Sequence, residues 1–472
     1  MPDLLFSLIT ALSEMRRFSV LLLSLLIFSC TAIPEEVRVA EEQPRNVVFF
    51  IADGCGPASF SLARDYQREM EGIPNLSLDR FEQGSTITFA EGSRITDSAA
   101  SATAYACGVK TLNGRIAMTA DSQPVETILE MAESAGYNTA LVSTARITHA
   151  TPASFSSHVV NRGMEVEIAE QQLTKDIEIL MGGGRQYYTP SEQGGGRQDG
   201  RDLIEEAESA GYHRADNRAE MMAIDELPLI ALFTNSHMAY EIDRVEEDEP
   251  SIAEMTMKSL ELLNNAGKPF FIMIEAGRID HAGHGNDTAA HLWDVIAYDQ
   301  AWQAAVEFAR ETGNTLVLAT SDHETGGLTL GAETGGRNGS GYGYDPTQLA
   351  SISSSVEAFR NELAERMMND DVDPAWFGST LETRFNIPFS TVAEPMAGII
   401  AQADTNAAAA ASRLQWLLVD AMAESARVGW STGGHTSVNV PIFAFGPGSA
   451  QFRGTLDNTE IGIRLQEVLG LR

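Results

Sequence analysis

Asn46-Val-Val-Phe-Phe-Ile-Ala-Asp53 is an unbroken apolar run that ends in a carboxylate and meets Gly54 at once. A strand with one wet face alternates apolar and polar residues. A run without alternation predicts a strand buried on both faces, as parallel sheets provide. Outward from this stretch the pattern recurs at Thr139–Thr144, Ile177–Met181, Leu229–Phe233, Pro269–Glu275, Thr315–Asp322 and Pro441–Gly446. Helical patterns fall between the runs, at 124–135, 250–265 and 288–311. Alternating strands and helices predict an α/β fold, a mostly parallel central sheet with helices on both faces. The glycine clusters at 182–184 and 194–196 lack the Lys-Ser/Thr ending of a P-loop and the Gly-x-Gly-x-x-Gly pattern, and read as loops. From 331 to 428 the rhythm stops, and Gly- and Ser-rich loops surround helical patches. We expect 46–330 to be the core domain, 331–428 an insertion, and 429–472 the core resumed.

The 472 residues carry 66 acids against 32 Lys and Arg, a formal charge of -34. That balance excludes a sequence-independent nucleic-acid surface, which must be basic. An anionic substrate would need a local source of positive charge, and bound metal is the obvious one. Met15-Arg16-Arg17 precedes a short apolar stretch, Phe18 to Phe28, which reads as an export signal starting at Met15. The signal occupies 1–30. Its end, Ile27-Phe28-Ser29-Cys30, resembles a bacterial lipoprotein signal with Cys30 as the lipidated residue, the alternatives being an ordinary cleaved signal or an uncleaved anchor. Residues 31–45 read as a flexible tether. The protein is therefore expected to be exported, either periplasmic or a membrane-anchored lipoprotein. Cys55 and Cys107 are expected as free thiols, since two cysteines make no disulfide framework.

In open parallel sheets ligands sit at the carboxyl ends of strands. Polar residues gather at those ends here. The first run closes at Asp53. The second leads into Arg146-Ile-Thr-His149-Ala-Thr151. The 269–275 run ends at Glu275 and continues to Asp280, His281 and His284. The 315–322 run ends Ser321-Asp322-His323-Glu324, and Gly434-His435-Thr436 precedes the last strand. Asp280 and His284 are one helical turn apart and can face one cation. Imidazole with carboxylate suits zinc, and carboxylate with hydroxyl suits magnesium. Residues 96–107, nearly all small, predict a helix capped by Thr96 or Asp97. Ser98 would then stand among the free N–H groups of the first turn, where an anion is favoured.

With those residues in place, the chain resembles the alkaline phosphatases. The resemblance rests on Phe50-Ile-Ala-Asp53-Gly-Cys-Gly56, Asp97-Ser98-Ala-Ala-Ser-Ala-Thr-Ala, His149-Ala-Thr151-Pro-Ala through His158-Val-Val-Asn-Arg162, Glu275-Ala-Gly-Arg-Ile-Asp280-His281-Ala-Gly-His284, Thr320-Ser-Asp322-His323-Glu324, and Gly434-His435-Thr436. It spans 45–330 and 429–448. It implies an alkaline-phosphatase-like fold and metal-dependent hydrolysis of small phosphate monoesters, with broad specificity, through a phosphoserine at Ser98. The implied cofactors are two Zn2+ and one Mg2+, with Zn2+ as the alternative third ion. The implied ligands are Asp280, His284 and His435 for the first zinc. Asp53, Asp322 and His323 would hold the second, with the Ser98 oxygen. Asp53, Thr151 and Glu275 would hold the third ion, with His149 beside it. Arg162 would grip phosphate and Asp97 would orient that arginine. The family also implies a homodimer. His149 and His281 stand where many bacterial relatives have Asp and Lys, which leaves the third ion open. Rival readings are a phosphodiesterase or sulfatase on the same scaffold, or an inactive lipid-anchored phosphate binder. His158, His213 and His237 read as surface or packing residues, and His291 as structural.

Overall fold

The computed structural model describes residues 43–334, 341–369, 374–390, 392–393, 399 and 407–472. The expected export signal, Cys30 and the tether up to residue 42 lie outside the described residues. Ten strands form one sheet: β1 (Asn46–Ala52), β2 (Glu82–Ile87), β3 (Asn138–Arg146), β4 (Ile179–Gly183), β5 (His213–Ala215), β6 (Leu229–Leu232), β7 (Phe270–Ala276), β8 (Thr315–Thr320), β9 (Val440–Phe445) and β10 (Gly454–Asp457). Their order across the sheet is β10-β2-β9-β8-β1-β7-β3-β4-β6-β5. Only β9 runs against its neighbours β8 and β2. The other pairings are parallel.

The helices that position the site and its walls are α1 (Pro57–Glu71), α2 (Ser98–Cys107), α3 (Ala150–Ser156), α4 (Ile252–Asn265), α5 (Arg278–His284), α6 (Thr288–Thr312), α7 (Val356–Met368), α8 (Ala407–Ala426) and α9 (Asn458–Val468). Strand β1 shows why both faces must be covered. All seven of its residues are buried. Val48, Phe50 and Ala52 join one core cluster with residues of α1, α4 and α6. Val47, Phe49 and Ile51 join a second with residues of α2, α3 and α9. Phe50 meets the rings of Tyr298 and Trp302 on α6 at 5.8 and 6.2 Å. Phe49 meets Tyr105 on α2 at 5.6 Å. Each buried Phe is worth roughly 1.5–3 kcal/mol of transfer free energy. The period of two along the strand therefore pins helices to opposite faces and fixes the register.

Within 331–428 the described elements do not build a separate core. Phe359 of α7, Phe377, and Leu418 of α8 belong to the same cluster as Phe50 and Trp302. The two ends of the segment meet where Leu328–Leu330 pairs antiparallel with Val428–Trp430. Residues 43–472 hold together as one unit. Cys55 and Cys107 are buried free thiols, as expected. No helix among the described residues is long and apolar enough to cross a membrane.

Candidate active site

The register of the central strands sets the site. Ile51 lies opposite Glu275 on β7 and opposite Thr320 on β8. The chain leaves β1 at Asp53 and leaves β8 at Ser321-Asp322-His323, so these groups emerge side by side at one sheet edge. Gly54 then turns with φ +72°, and a Cβ there would stand 2.7 Å from the Asp280 Cα. That close approach brings α5 against the β1 end. His435 arrives from far along the chain through a short bridge in which His435 and Thr436 pair with Thr325 and Glu324.

Three groups of ligand atoms result, each within 4.8 Å of one another: Asp280, His284 and His435; Asp53, Asp322 and His323; and Asp53, His149 and Glu275. In the first, His284 Nδ1 donates to the Gly433 carbonyl at 2.7 Å. His435 Nδ1 donates to the Thr96 carbonyl at 2.8 Å. A ring whose Nδ1–H is committed to a carbonyl presents a lone pair at Nε2. The two Nε2 atoms lie 3.1 Å apart. They stand 3.4 and 3.6 Å from the Asp280 carboxylate oxygens. Two ring nitrogens and a carboxylate thus converge on one point, a donor set that a cation fits.

The second group repeats the pattern. Thr325 Oγ1 donates to Asp280 Oδ1 at 2.5 Å and accepts from His323 Nδ1 at 3.2 Å. His323 Nε2 thereby faces Asp322 at 3.2 Å, Asp53 at 3.6 Å and Ser98 Oγ at 3.3 Å. Asp53, Asp322 and His323 are wholly buried. Among the described residues, both carboxylate oxygens of Asp53, one each of Asp322 and Glu275, the Thr151 hydroxyl and His149 Nδ1 find no hydrogen-bond partner. Buried carboxylate oxygens without donors are costly unless a cation sits among them. The donor set is therefore one that fits metal: imidazole and carboxylate in all three groups, with the Thr151 hydroxyl added at the third in the proposed ligand set.

Titration follows the same crowding. Burial and the Asp322, Asp280 and Glu275 charges push the Asp53 carboxyl far up. Burial raises Glu275 to about 7 and Asp322 to about 8, with Asp280 adding to both. For Asp280 burial also pulls upward, but the imidazoles of His323, His284 and His435 outweigh it and hold the carboxyl low.

Ser98 begins α2 and is 1% exposed. Asp97 caps the helix by accepting from the Ala100 N–H at 3.0 Å. Its other oxygen accepts from Gly114 N–H at 2.9 Å and pairs with Arg162 Nη1 at 3.2 Å. Arg162 Nη2 lies 2.9 Å from His149 Nε2. The guanidinium is thus held from two sides. All twelve residues singled out in the sequence for chemistry fall within this one constellation.

Four neighbours were not foreseen. Thr325 ties the first two ligand groups together, Ser143 hydrogen-bonds Glu275, and Thr436 hydrogen-bonds Glu324. His237, read as surface or packing, lies edge-on to His281 at 4.1 Å between ring centres. Hydroxyls carry no pattern of their own in a sequence; only the proximity of Thr325 to His323 hinted at its role. His291 is structural, bonded to Ser59 and to the Ile279 carbonyl. His158 pairs with Glu130.

A family model described as alkaline phosphatase matches residues 44–471. The repressible alkaline phosphatase of Saccharomyces cerevisiae is 36% identical, over 92% of this chain and 83% of its own length. The cold-active alkaline phosphatase of a psychrophilic Shewanella superposes with a TM-score of 0.78 at 30% identity, over 90% of this chain and 99% of that one. A histidine variant of the TAB5 alkaline phosphatase with Mg bound in its M3 site gives a TM-score of 0.65 at 26% identity, over 91% and 98% of the two chains.

Proposed function

The chain belongs to the alkaline phosphatase family, and from that premise we propose that it hydrolyses phosphate monoesters through a covalent phosphoserine on Ser98, with two Zn2+ and one Mg2+ held by its three ligand groups. Asp280, His284 and His435 hold the first zinc, and Asp53, Asp322 and His323 the second. Asp53, Thr151 and Glu275, with His149 beside them, hold the third ion, for which Zn2+ is the alternative. The observation that carries the reading is the 3.1 Å approach of two imidazole Nε2 atoms beside Asp280, one of those rings being bonded to the Thr96 carbonyl just before the buried Ser98.

Bound divalent cations would supply the positive charge that activates the serine hydroxyl and stabilises the leaving oxygen. The chain's own residues do the rest. Ser98 Oγ, fixed at the start of α2 and 3.3 Å from His323 Nε2, would attack the phosphorus, and the first-turn N–H groups favour the phosphoryl oxygens. Arg162 offers a planar fork to two of those oxygens. Asp97 keeps the fork from turning away. The transferring phosphoryl group is nearly metaphosphate-like, so charge placement dominates the rate. These groups all act on the phosphoryl end, so turnover extends broadly across monoesters. The same reading includes export, acylation at Cys30 and a homodimer, which follow the family and the N-terminal sequence.

The test is metal analysis of the purified protein with assays before and after chelation. Aryl phosphate turnover should fall with the metal and return on adding zinc and magnesium. Bis-aryl phosphate and aryl sulfate should be turned over far more slowly. Dominant sulfate hydrolysis, or activity indifferent to chelation, rejects the reading.

A further inference from the structure

A cavity of about 370 Å³ opens beside His284. Arg278, His281 and His284 come to it from α5, Glu357 and Arg360 from α7, and Gln415 from α8. The segment between 331 and 428 thus supplies a wall next to the proposed first zinc group. The volume lies in the range of small-molecule sites.

Two arginines and two carboxylates line it, but they are not paired alike. Arg278 Nη2 donates to Glu357 Oε1 at 2.6 Å, and its guanidinium stacks 3.7 Å over Tyr240. That arginine and that carboxylate neutralise each other. Asp287 spends one oxygen on the Ala290 N–H at 3.1 Å and the other on the Val356 N–H at 2.7 Å. Arg360 is different. Its Nη1 donates to Gln415 Oε1 at 3.2 Å and its Nη2 to Asn361 Oδ1 at 3.4 Å. Both acceptors are neutral amides. Among the described residues no carboxylate pairs with it, in a chain with 66 acids and 32 basic residues.

We propose that this cavity receives the alcohol portion of the substrate and that Arg360 favours monoesters whose alcohol carries a second anionic group, a carboxylate or a further phosphate. The inference rests on the reading that Asp280, His284 and His435 face the leaving oxygen. A planar guanidinium takes two oxygens of a carboxylate or phosphate, and a half-buried one does so with less screening. Gln415 holds the fork in place from the neighbouring helix. A protein of net charge -34 repels multiply charged substrates unless it offers such a local cation.

The experiment compares kcat/KM for three substrates in the wild type, Arg360→Ala and Arg360→Lys. Glycerol 3-phosphate carries no second anion, 3-phosphoglycerate carries a carboxylate, and 1,3-propanediol bisphosphate carries a second phosphate. Arg360→Ala should lower kcat/KM for the anionic pair about tenfold, mainly through KM, and leave glycerol 3-phosphate within about twofold. Arg360→Lys should recover part of the loss. A loss confined to one anionic substrate supports the proposal and identifies the group. Equal losses on all three, or none on either anionic substrate, overturn it. A wild type inactive on all three instead rejects the monoesterase reading itself, and this subsite with it.

Discussion

His284 and His435, 151 positions apart in the chain, point their Nε2 atoms at each other across 3.1 Å, each ring having given its Nδ1–H to a backbone carbonyl. Neither ring can turn to relieve the contact without losing that bond. His435→Ala removes one of the three residues in the Asp280, His284 and His435 group. Metal content should drop by one ion per chain, and phosphomonoesterase activity by at least about 10²-fold. Elemental analysis beside a steady-state assay checks both. Unchanged zinc with full activity would show that the two rings do not share an ion.

Ser98 is a separate matter, because it supplies the nucleophile in this reading and only one oxygen toward the second ligand group. Ser98→Ala should therefore keep its metals while losing activity by about 10³-fold or more. Acid quench of the wild type with labelled monoester should leave label on the peptide containing residue 98, and the variant should show none. Label elsewhere in the chain would move the nucleophile.

Thr325 bridges Asp280 and His323 through one hydroxyl, donating to the first and accepting from the second. Thr325→Val keeps the shape and removes the bridge. His323 is then free to change tautomer and Asp280 loses a donor. Groups that orient metal ligands in this way are worth about 10–100-fold in metal affinity or activity. We expect a loss of that size, partly restored by excess zinc. Thr325→Ser, which retains the hydroxyl, should remain near wild type.

What the sequence disclosed follows from where burial leaves its mark. β1, β7 and β8 are covered on both faces, so their runs are apolar throughout and were legible at once. β2, Glu-Gln-Gly-Ser-Thr-Ile, is half exposed and carries no such run. It joins the sheet only because β9 and β10 flank it, a long-range fact that no window of residues contains. The antiparallel direction of β9 was hidden for the same reason. Asp53, Glu275 and Asp322 stood out because a carboxylate directly after an apolar run is conspicuous. Thr325 and Ser143 did not, since a hydroxyl is ordinary in any loop or strand. Arg360 and Gln415 lay in a stretch whose rhythm matched nothing around it, and only packing of α7 and α8 against α5 and α6 brings them to the site.

Away from the metal groups, Glu130 ties stability to pH. Glu130 accepts from His158 Nε2 at 3.0 Å and from Lys175 Nζ at 2.5 Å, and its other oxygen accepts from the Thr127 N–H at 2.9 Å. Burial alone would raise its carboxyl, but these hydrogen bonds win and hold it at about 2. The imidazole of His158 is likewise disfavoured by burial, yet the Glu130 carboxylate raises it above its usual value. The signs then differ. The depressed carboxyl contributes stability that is present above the unfolded value near 4.5 and lost as pH falls toward 2. The raised imidazole contributes stability that is complete below 6.5 and lost as pH climbs through its folded value. Glu130→Gln keeps the helix-capping geometry, because Gln serves that position as well, and removes the charge. Its deficit should be about 1–2 kcal/mol at about pH 5.5, where both contributions are present. Thermal melts of the two proteins should converge as pH is lowered below about 4, and draw closer above neutrality. A deficit constant across that whole span would mean that the carboxylate acts only as a hydrogen-bond acceptor and its charge counts for nothing.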